Sequence, residues 1–268
     1  MNSMENLSSD LELALRLADL ADSITMARYQ AMDLIIETKP DATPVTDADK
    51  ATEVALRNLI TLERPSDLIV GEEFGTPELA TGSRYWILDP IDGTKNFLRG
   101  VPTWATLIAL AEPTGEIIVG VVSAPALFRR WHGTKGNGAF VSLNHSPANK
   151  IQVSEVANLS DASISYSDLV GWGNRRDPFL ALQDQIWRTR GLGDFWSHML
   201  VAEGAVDIAI EPQLALWDMA ALDIIVREAG GTFTNIEGVA GPHGASAISS
   251  NSHLHQALLA ALNSSNLL

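Results

Sequence analysis

The sequence predicts a mixed α/β fold built in two halves, and three observations carry that prediction. Helical apolar spacing dominates the chain up to about Leu62, strand-like runs dominate from Leu68 to Val122, and helical and extended runs alternate beyond Lys150. Ser9 with Glu12 forms a capping-box pattern, after which Leu13, Leu17, Leu20, Ile24 and Ala27 predict an amphipathic helix ending near Tyr29. A short strand, Leu34 to Glu37, leads into the turn-rich segment Lys39 to Pro44. Thr46 then caps a second helix that reaches Leu62 and is closed by Pro65. Leu68 to Val70, Tyr85 to Leu88, Trp104 to Leu110 and Ile117 to Val122 have strand composition.

The polar segment Asn144 to Lys150, with Pro147, marks the expected division into an N-terminal α+β half, 1–146, and a C-terminal α/β half, 147–268. Beyond it come a helix near Pro178 to Trp187, another from Asp194 to Glu203 stopped by Gly204, and a strand from Val206 to Ile210. A helix from Trp217 to Ala229 follows, stopped by Gly230 and Gly231.

Composition narrows the function. A hydrophobic fraction of 46% over 268 residues is ample for a sizeable core. The net charge of -15 argues against nucleic acid as a partner. With no cysteine, disulfides, thiolate metal sites and cysteine nucleophiles are excluded. The stretch Ile117 to Phe128 is too short to span a bilayer, and Met1 to Asp10 lacks a secretory pattern, so a cytoplasmic enzyme is expected.

The densest chemical signal is Trp86-Ile87-Leu88-Asp89-Pro90-Ile91-Asp92-Gly93-Thr94. Pro90 is expected to take the chain out of the strand and bring Asp89 and Asp92 round a tight turn. Two carboxylates about 4 Å apart repel by roughly 4 kcal/mol at an effective dielectric of about 20, which a hard divalent cation would relieve. Oxygen-only ligands favour magnesium or manganese over zinc. Gly93 and Thr94 would open a helix and offer N–H groups to an anion such as phosphate. Taken alone, the string is also an ordinary strand followed by a turn. Gly71-Glu72-Glu73 and Trp217-Asp218 each add a carboxylate at an element end, where a cap or a solvated charge is the common alternative.

Trp86 to Arg99, Gly71-Glu72-Glu73 and Trp217-Asp218 through Gly230-Gly231 together resemble the inositol monophosphatase family of metal-dependent phosphatases. That resemblance implies a layered α-β-α-β-α sandwich, a homodimer and two or three magnesium ions per site, with manganese as a substitute. It gives Glu72, Asp89 and the Ile91 carbonyl to one ion and Asp89, Asp92 and Asp218 to a second. It also implies that Asp49 bonds to Thr94, the pair orienting and deprotonating the attacking water beside Glu72.

Further stretches, Gly100 to Ala105, Ser123 to Trp131 and Gly193-Asp194-Phe195, resemble the histidinol-phosphate phosphatase branch of that family. The implied reaction is hydrolysis of L-histidinol phosphate, a small phosphorylated metabolite, to L-histidinol and phosphate. Asp92, Gly93, Thr94, Arg190, Asp194, Glu211 and Asp218 are the substrate-contact candidates. Asp194 and Glu211 suit an ammonium, and Phe195 or a nearby tryptophan suits an imidazole. Inositol monophosphatase or related sugar-phosphate activity is the alternative, and a non-catalytic binding protein of the same fold a further one. Gly133 to Gly138 lacks Walker spacing and predicts a hairpin turn. No histidine is assigned to metal, and His253 and His255 are expected at the surface; Lys39 lies in a loop where the resemblance implies a lysine near the active site, a solvated lysine being the expected alternative.

Overall fold

A computed structural model describes residues 3–40, 43–75 and 82–263. In chain order the N-terminal elements are α1 (Ser3–Arg28), β1 (Ile36–Thr38), β2 (Pro44–Thr46), α2 (Asp47–Glu63), β3 (Leu68–Gly71), β4 (Tyr85–Asp92) and α3 (Thr94–Leu98). They are followed by β5 (Ala105–Ala111), β6 (Ile117–Ala124), β7 (Arg129–Thr134), β8 (Gly138–Leu143) and β9 (Asn149–Ile151). The remainder comprises β10 (Ser163–Tyr166), α4 (Arg176–Gln183), β11 (Arg188–Gly191), α5 (Asp194–Ala202), β12 (Ile208–Glu211), α6 (Leu216–Glu228), β13 (Gly231–Thr234), β14 (Ala247–Asn251) and α7 (His255–Asn263).

These elements stack in five layers. Leu13, Ala14, Leu17, Ala18 and Ala21 of α1 pack with Leu56 and Ile60 of α2 against Trp86, Leu88, Ile108, Leu110 and Val121 on one face of a seven-stranded sheet. The opposite face, with Ile87, Leu107, Ala109 and Val122, packs on Phe195 and Met199 of α5 and Met219 to Val226 of α6. Those two helices are covered in turn by a five-stranded sheet, whose outer face meets Phe179 and Leu182 of α4 and Leu258 and Leu262 of α7. The result is the expected α-β-α-β-α sandwich.

The first sheet has the order β3-β4-β5-β6-β7-β8-β9, antiparallel except for the β3/β4 pair. It closes with Asn149–Ile151, beyond residue 146, and the second sheet opens at Ser163. The second sheet runs β11-β10-β12-β14-β13, with β10 parallel to both neighbours and the rest antiparallel. The segment after Gly133 is the expected hairpin turn between β7 and β8.

Several boundaries differ from the sequence-based expectation for identifiable reasons. The first helix begins at Ser3, so Ser9 is not its cap. No breaker precedes Ser9, Leu7 packs on the core, and the Ser9 hydroxyl accepts from Arg64 Nη2 at 2.8 Å. Nor does Pro90 end β4. The strand continues to Asp92 through a bulge in which Asp89 pairs with Leu107 and Asp92 with Ala105. Pro90 sits where its missing N–H costs no ladder bond, and its carbonyl accepts from Thr106 Oγ1 at 2.8 Å.

Candidate active site

Asp89, Ile91 and Asp92 lie at the bulged end of β4, and Glu72 follows the parallel neighbour β3. Asp218 enters from the first turn of α6. They line one cavity of about 490 Å³ together with Gly93, Thr94, Lys95, Asn96, Ser167, Asp168 and Asp194. Carboxylate oxygens of Asp89, Asp92 and Asp218 lie within 4.8 Å of one another.

Backbone amides aim three of these acids. Ile91 N donates to Asp89 Oδ1 at 3.0 Å, Phe195 N at the start of α5 to Asp92 Oδ2 at 2.8 Å, and Ala215 N to Asp218 Oδ2 at 2.7 Å. Gly93 connects β4 to α3 at φ +79°, a left-handed conformation that favours glycine. A Cβ there would lie 3.0 Å from the Thr103 carbonyl oxygen and 3.3 Å from Asp194 Oδ2.

Burial and mutual repulsion dominate the electrostatics. Burial raises Asp89 well above the usual carboxylate range, with Glu72, Asp92 and Asp218 adding to the shift. Burial likewise raises Asp92, reinforced by Asp194 and Asp218. Asp218 is pushed up to about 7 by burial, although the Ala215 amide opposes the shift. Such a set is tolerable when protonated or when it holds a cation. Lys39 supplies a monovalent one: its Nζ donates to Glu72 Oε1 at 2.6 Å and Glu73 Oε1 at 2.7 Å. Burial alone would lower Lys39, but those two hydrogen bonds raise it. Lys39 is therefore a half-buried ion-pair partner, not a solvated loop residue. Three close carboxylates with a fourth beside them, and no imidazole or thiolate in the set, suit a hard divalent ion.

The expected Asp49–Thr94 hydrogen bond is not formed. Asp49 Oδ2 accepts from Thr46 N at 2.8 Å as part of the α2 cap, while Asp49 Oδ1 is buried without a partner. The Thr94 hydroxyl donates to the Ile91 carbonyl at 3.0 Å. Cap formation and the adjacent carbonyl satisfy both groups locally. Burial pushes Asp49 up to about 6, with Glu72 adding to the shift and the Thr46 bonds opposing it.

A second group of acids lies on the C-terminal side: Asp168 and Asp194 line the same cavity, whereas Glu211, an expected substrate contact, is buried and reaches it only through the lining residue Ser167. Asp194, at φ +49°, accepts from Asn96 Nδ2 at 3.0 Å, and its own N donates to Ser167 Oγ at 3.0 Å. Ser167 Oγ donates to Glu211 Oε1 at 2.6 Å. Burial pushes Glu211 up to about 8, with Asp194 and Asp168 reinforcing the shift and Ser167 opposing it. Ser167, Asp168 and Asn96 were not singled out from sequence. Recognition of β10 would have flagged the first two as strand-end residues.

Three expectations fail here. Arg190 is exposed, donates to its neighbour's carbonyl, Thr189 O, and does not line the cavity. Phe195 is buried against Trp131 in the core, so it offers no face for stacking. His255 is buried and joined to Thr234 and Ser250, whereas His253 is exposed as expected.

An oxygen-only divalent-metal site in a layered α-β-α-β-α sandwich defines a metal-dependent phosphatase. Residues 6–267 match the model of the inositol monophosphatase family. The chain is 57% identical over 256 residues to a histidinol-phosphatase of Mycobacterium tuberculosis, covering 95% of this chain and 98% of that one. It is 54% identical over 265 residues to a histidinol-phosphatase of Streptomyces coelicolor, covering 97% and 99%. The solved structure of a Thermotoga maritima IMPase is similar with a TM-score of 0.84 at 30% identity, over 95% of this chain and 97% of that one. The chain belongs to the inositol monophosphatase family. Among the described residues no helix is long and apolar enough to cross a membrane.

Proposed function

We propose that this phosphatase hydrolyses L-histidinol phosphate to L-histidinol and inorganic phosphate. The observation that carries the reading is one cavity with two acid groups: a tight one fitted to divalent ions and a looser one fitted to an organic ammonium. The two histidinol-phosphatases more than half identical over nearly the whole chain support the same substrate.

Glu72, Asp89 and the Ile91 carbonyl would hold one magnesium ion, and Asp89, Asp92 and Asp218 a second. Magnesium at two or three ions per site, with manganese as a substitute, supplies the Lewis acidity that activates water and offsets phosphate charge. The residues of the chain position the ester and move the proton. Asp49, with an unpaired Oδ1, is the base we assign, acting with Thr94 once that hydroxyl turns from the Ile91 carbonyl. Gly93 and Thr94 border the phosphate. Asp194, Asp168 and Glu211 face the substrate's ammonium, which favours their ionised forms. Arg190 has no part in this reading.

We further propose a cytoplasmic homodimer with no nucleic-acid partner. The net charge of -15 supports the absence of a nucleic-acid partner, and the family resemblance supports the homodimer. A substrate panel tests the activity. Phosphate release from histidinol phosphate should exceed that from inositol 1-phosphate and fructose 1,6-bisphosphate in kcat/KM, and should stop in excess chelator. Equal rates across the panel would refute the substrate assignment, and full activity in chelator would refute the metal assignment.

A further inference from the structure

Every backbone N–H of the turn carrying Glu72 is engaged, and two of them engage one buried carboxylate. Gly71 and Gly75 bond each other's carbonyl at 3.3 and 3.1 Å, and Glu72 N donates to Leu88 O at 3.2 Å. Glu73 N donates to Glu53 Oε2 at 2.7 Å and Phe74 N to Glu53 Oε1 at 3.3 Å. Glu53 lies on α2, fully buried. One helical turn on, Arg57 Nε donates to Glu53 Oε1 at 2.7 Å. Its Nη1 and Nη2 hold the carbonyls of Ile69 and Gly75 at 3.3 and 3.1 Å. The Arg57 guanidinium also lies 5.9 Å from the centre of the Phe74 ring. A Cβ on Gly71 would fall 1.9 Å from Glu53 Oε1, so the carboxylate occupies space that only glycine leaves open.

Neither Glu53 nor Arg57 lines the cavity. The contrast among the four acids shows what the pair does. Asp89, Asp92 and Asp218 are each aimed by a backbone amide, whereas among the described residues no backbone N–H reaches the Glu72 carboxylate. Lys39 Nζ reaches that carboxylate, but the backbone that presents it is set by the turn that Glu53 and Arg57 fix from behind.

We propose that Glu53, with Arg57, is a positioning residue for metal binding, holding the 71–75 turn so that Glu72 faces Asp89. The role rests on the metal assignment of Glu72 made above. Glu53→Gln tests it, because an amide must turn an NH2 toward at least one of three donors: Glu73 N, Phe74 N or Arg57 Nε.

Manganese and magnesium affinity, measured by calorimetry on the full chain, should weaken by about tenfold or more. At saturating metal the KM for the phosphate ester should stay near the wild-type value. Leu258→Ala, a change in a buried residue of the outermost helix α7, should lower thermal stability without moving metal affinity, separating positioning from general destabilisation. Wild-type metal affinity in folded Glu53→Gln would overturn the proposal. Should that variant not fold, Arg57→Lys decides in the same way, with a smaller loss of affinity expected and an unchanged affinity overturning the role. A wild-type protein that binds no divalent ion would instead overturn the metal assignment, and this role with it.

Discussion

The two acid groups at the cavity are built differently, and the proposed function gives catalysis to one and selection to the other. Asp89, Asp92 and Asp218 sit at a strand bulge and a helix first turn, each bonded to a backbone amide, with oxygens within 4.8 Å of one another. Once ionised together, such close charges suit a small, highly charged ion. Asp168, Asp194 and Glu211 sit where β10 and β12 end and α5 begins, with Asp194 and Glu211 linked through the Ser167 hydroxyl and Asp194 held by Asn96. That looser set suits an organic monocation. In the proposed reading, one wall of the cavity supplies chemical activation and the other reads the alcohol.

Substitutions on the two walls should separate these roles. Asp92→Asn, which removes a charge from the tight group, should lower kcat on every phosphate ester by about a thousandfold, equivalent to ~4 kcal/mol of transition-state stabilisation. A variant retaining wild-type kcat would place catalysis elsewhere.

Magnesium at a hundredfold excess over its Kd should raise unfolding free energy by about 2.7 kcal/mol. Without the ion, burial holds Asp218 protonated up to about 7, against a normal value of 3.8. The folded state then binds the extra proton between those values, so metal-free stability should fall as pH rises from about 4 to 7. Denaturant titrations with and without chelator at pH 5 and 8 should show a metal effect that is larger at pH 8.

The reading wall should respond selectively. Asp194→Asn keeps an acceptor for Asn96 and loses only charge. Its kcat/KM should fall by about tenfold to a hundredfold for histidinol phosphate and far less for an ester lacking an amine. Equal losses on both esters would contradict an ammonium subsite.

Glu211 tests the same wall through stability alone. It ionises near 4.5 when exposed and near 8 when buried, so its contribution to stability declines as pH rises through that window. Glu211→Gln should match wild type at pH 4 and be the more stable of the two at pH 9, where the buried wild-type carboxyl has to ionise, as read from denaturant titrations.

Most of the first sheet and the tight wall were legible because their signals are local. A continuous apolar run ends in Asp89-Pro90-Ile91-Asp92-Gly93, and Thr46 with Asp49 forms the helix cap. The reading wall was harder to read because its strands are short and polar. Arg188–Gly191 is mostly exposed, and Ala247–Asn251 is wholly buried despite Ser249, Ser250 and Asn251. Those side chains are satisfied by His198, His255 and Ser154, partners that only the folded chain brings near. The same applies to Lys39 and Glu53, whose roles depend on a turn distant from them in sequence. Asp49 lies three residues after the predicted Thr46 cap and so in the first turn of α2, but its unpaired oxygen is visible only in three dimensions.

Anomalous scattering from crystals grown with manganese tests most directly whether these distant acids share ions. Peaks ligated by Glu72, Asp89 and Asp218 inside the cavity are expected, and their loss in Asp92→Asn would tie the ions to that cluster. A cavity without a peak at saturating manganese, or peaks only at other carboxylates, would contradict the shared metal centre.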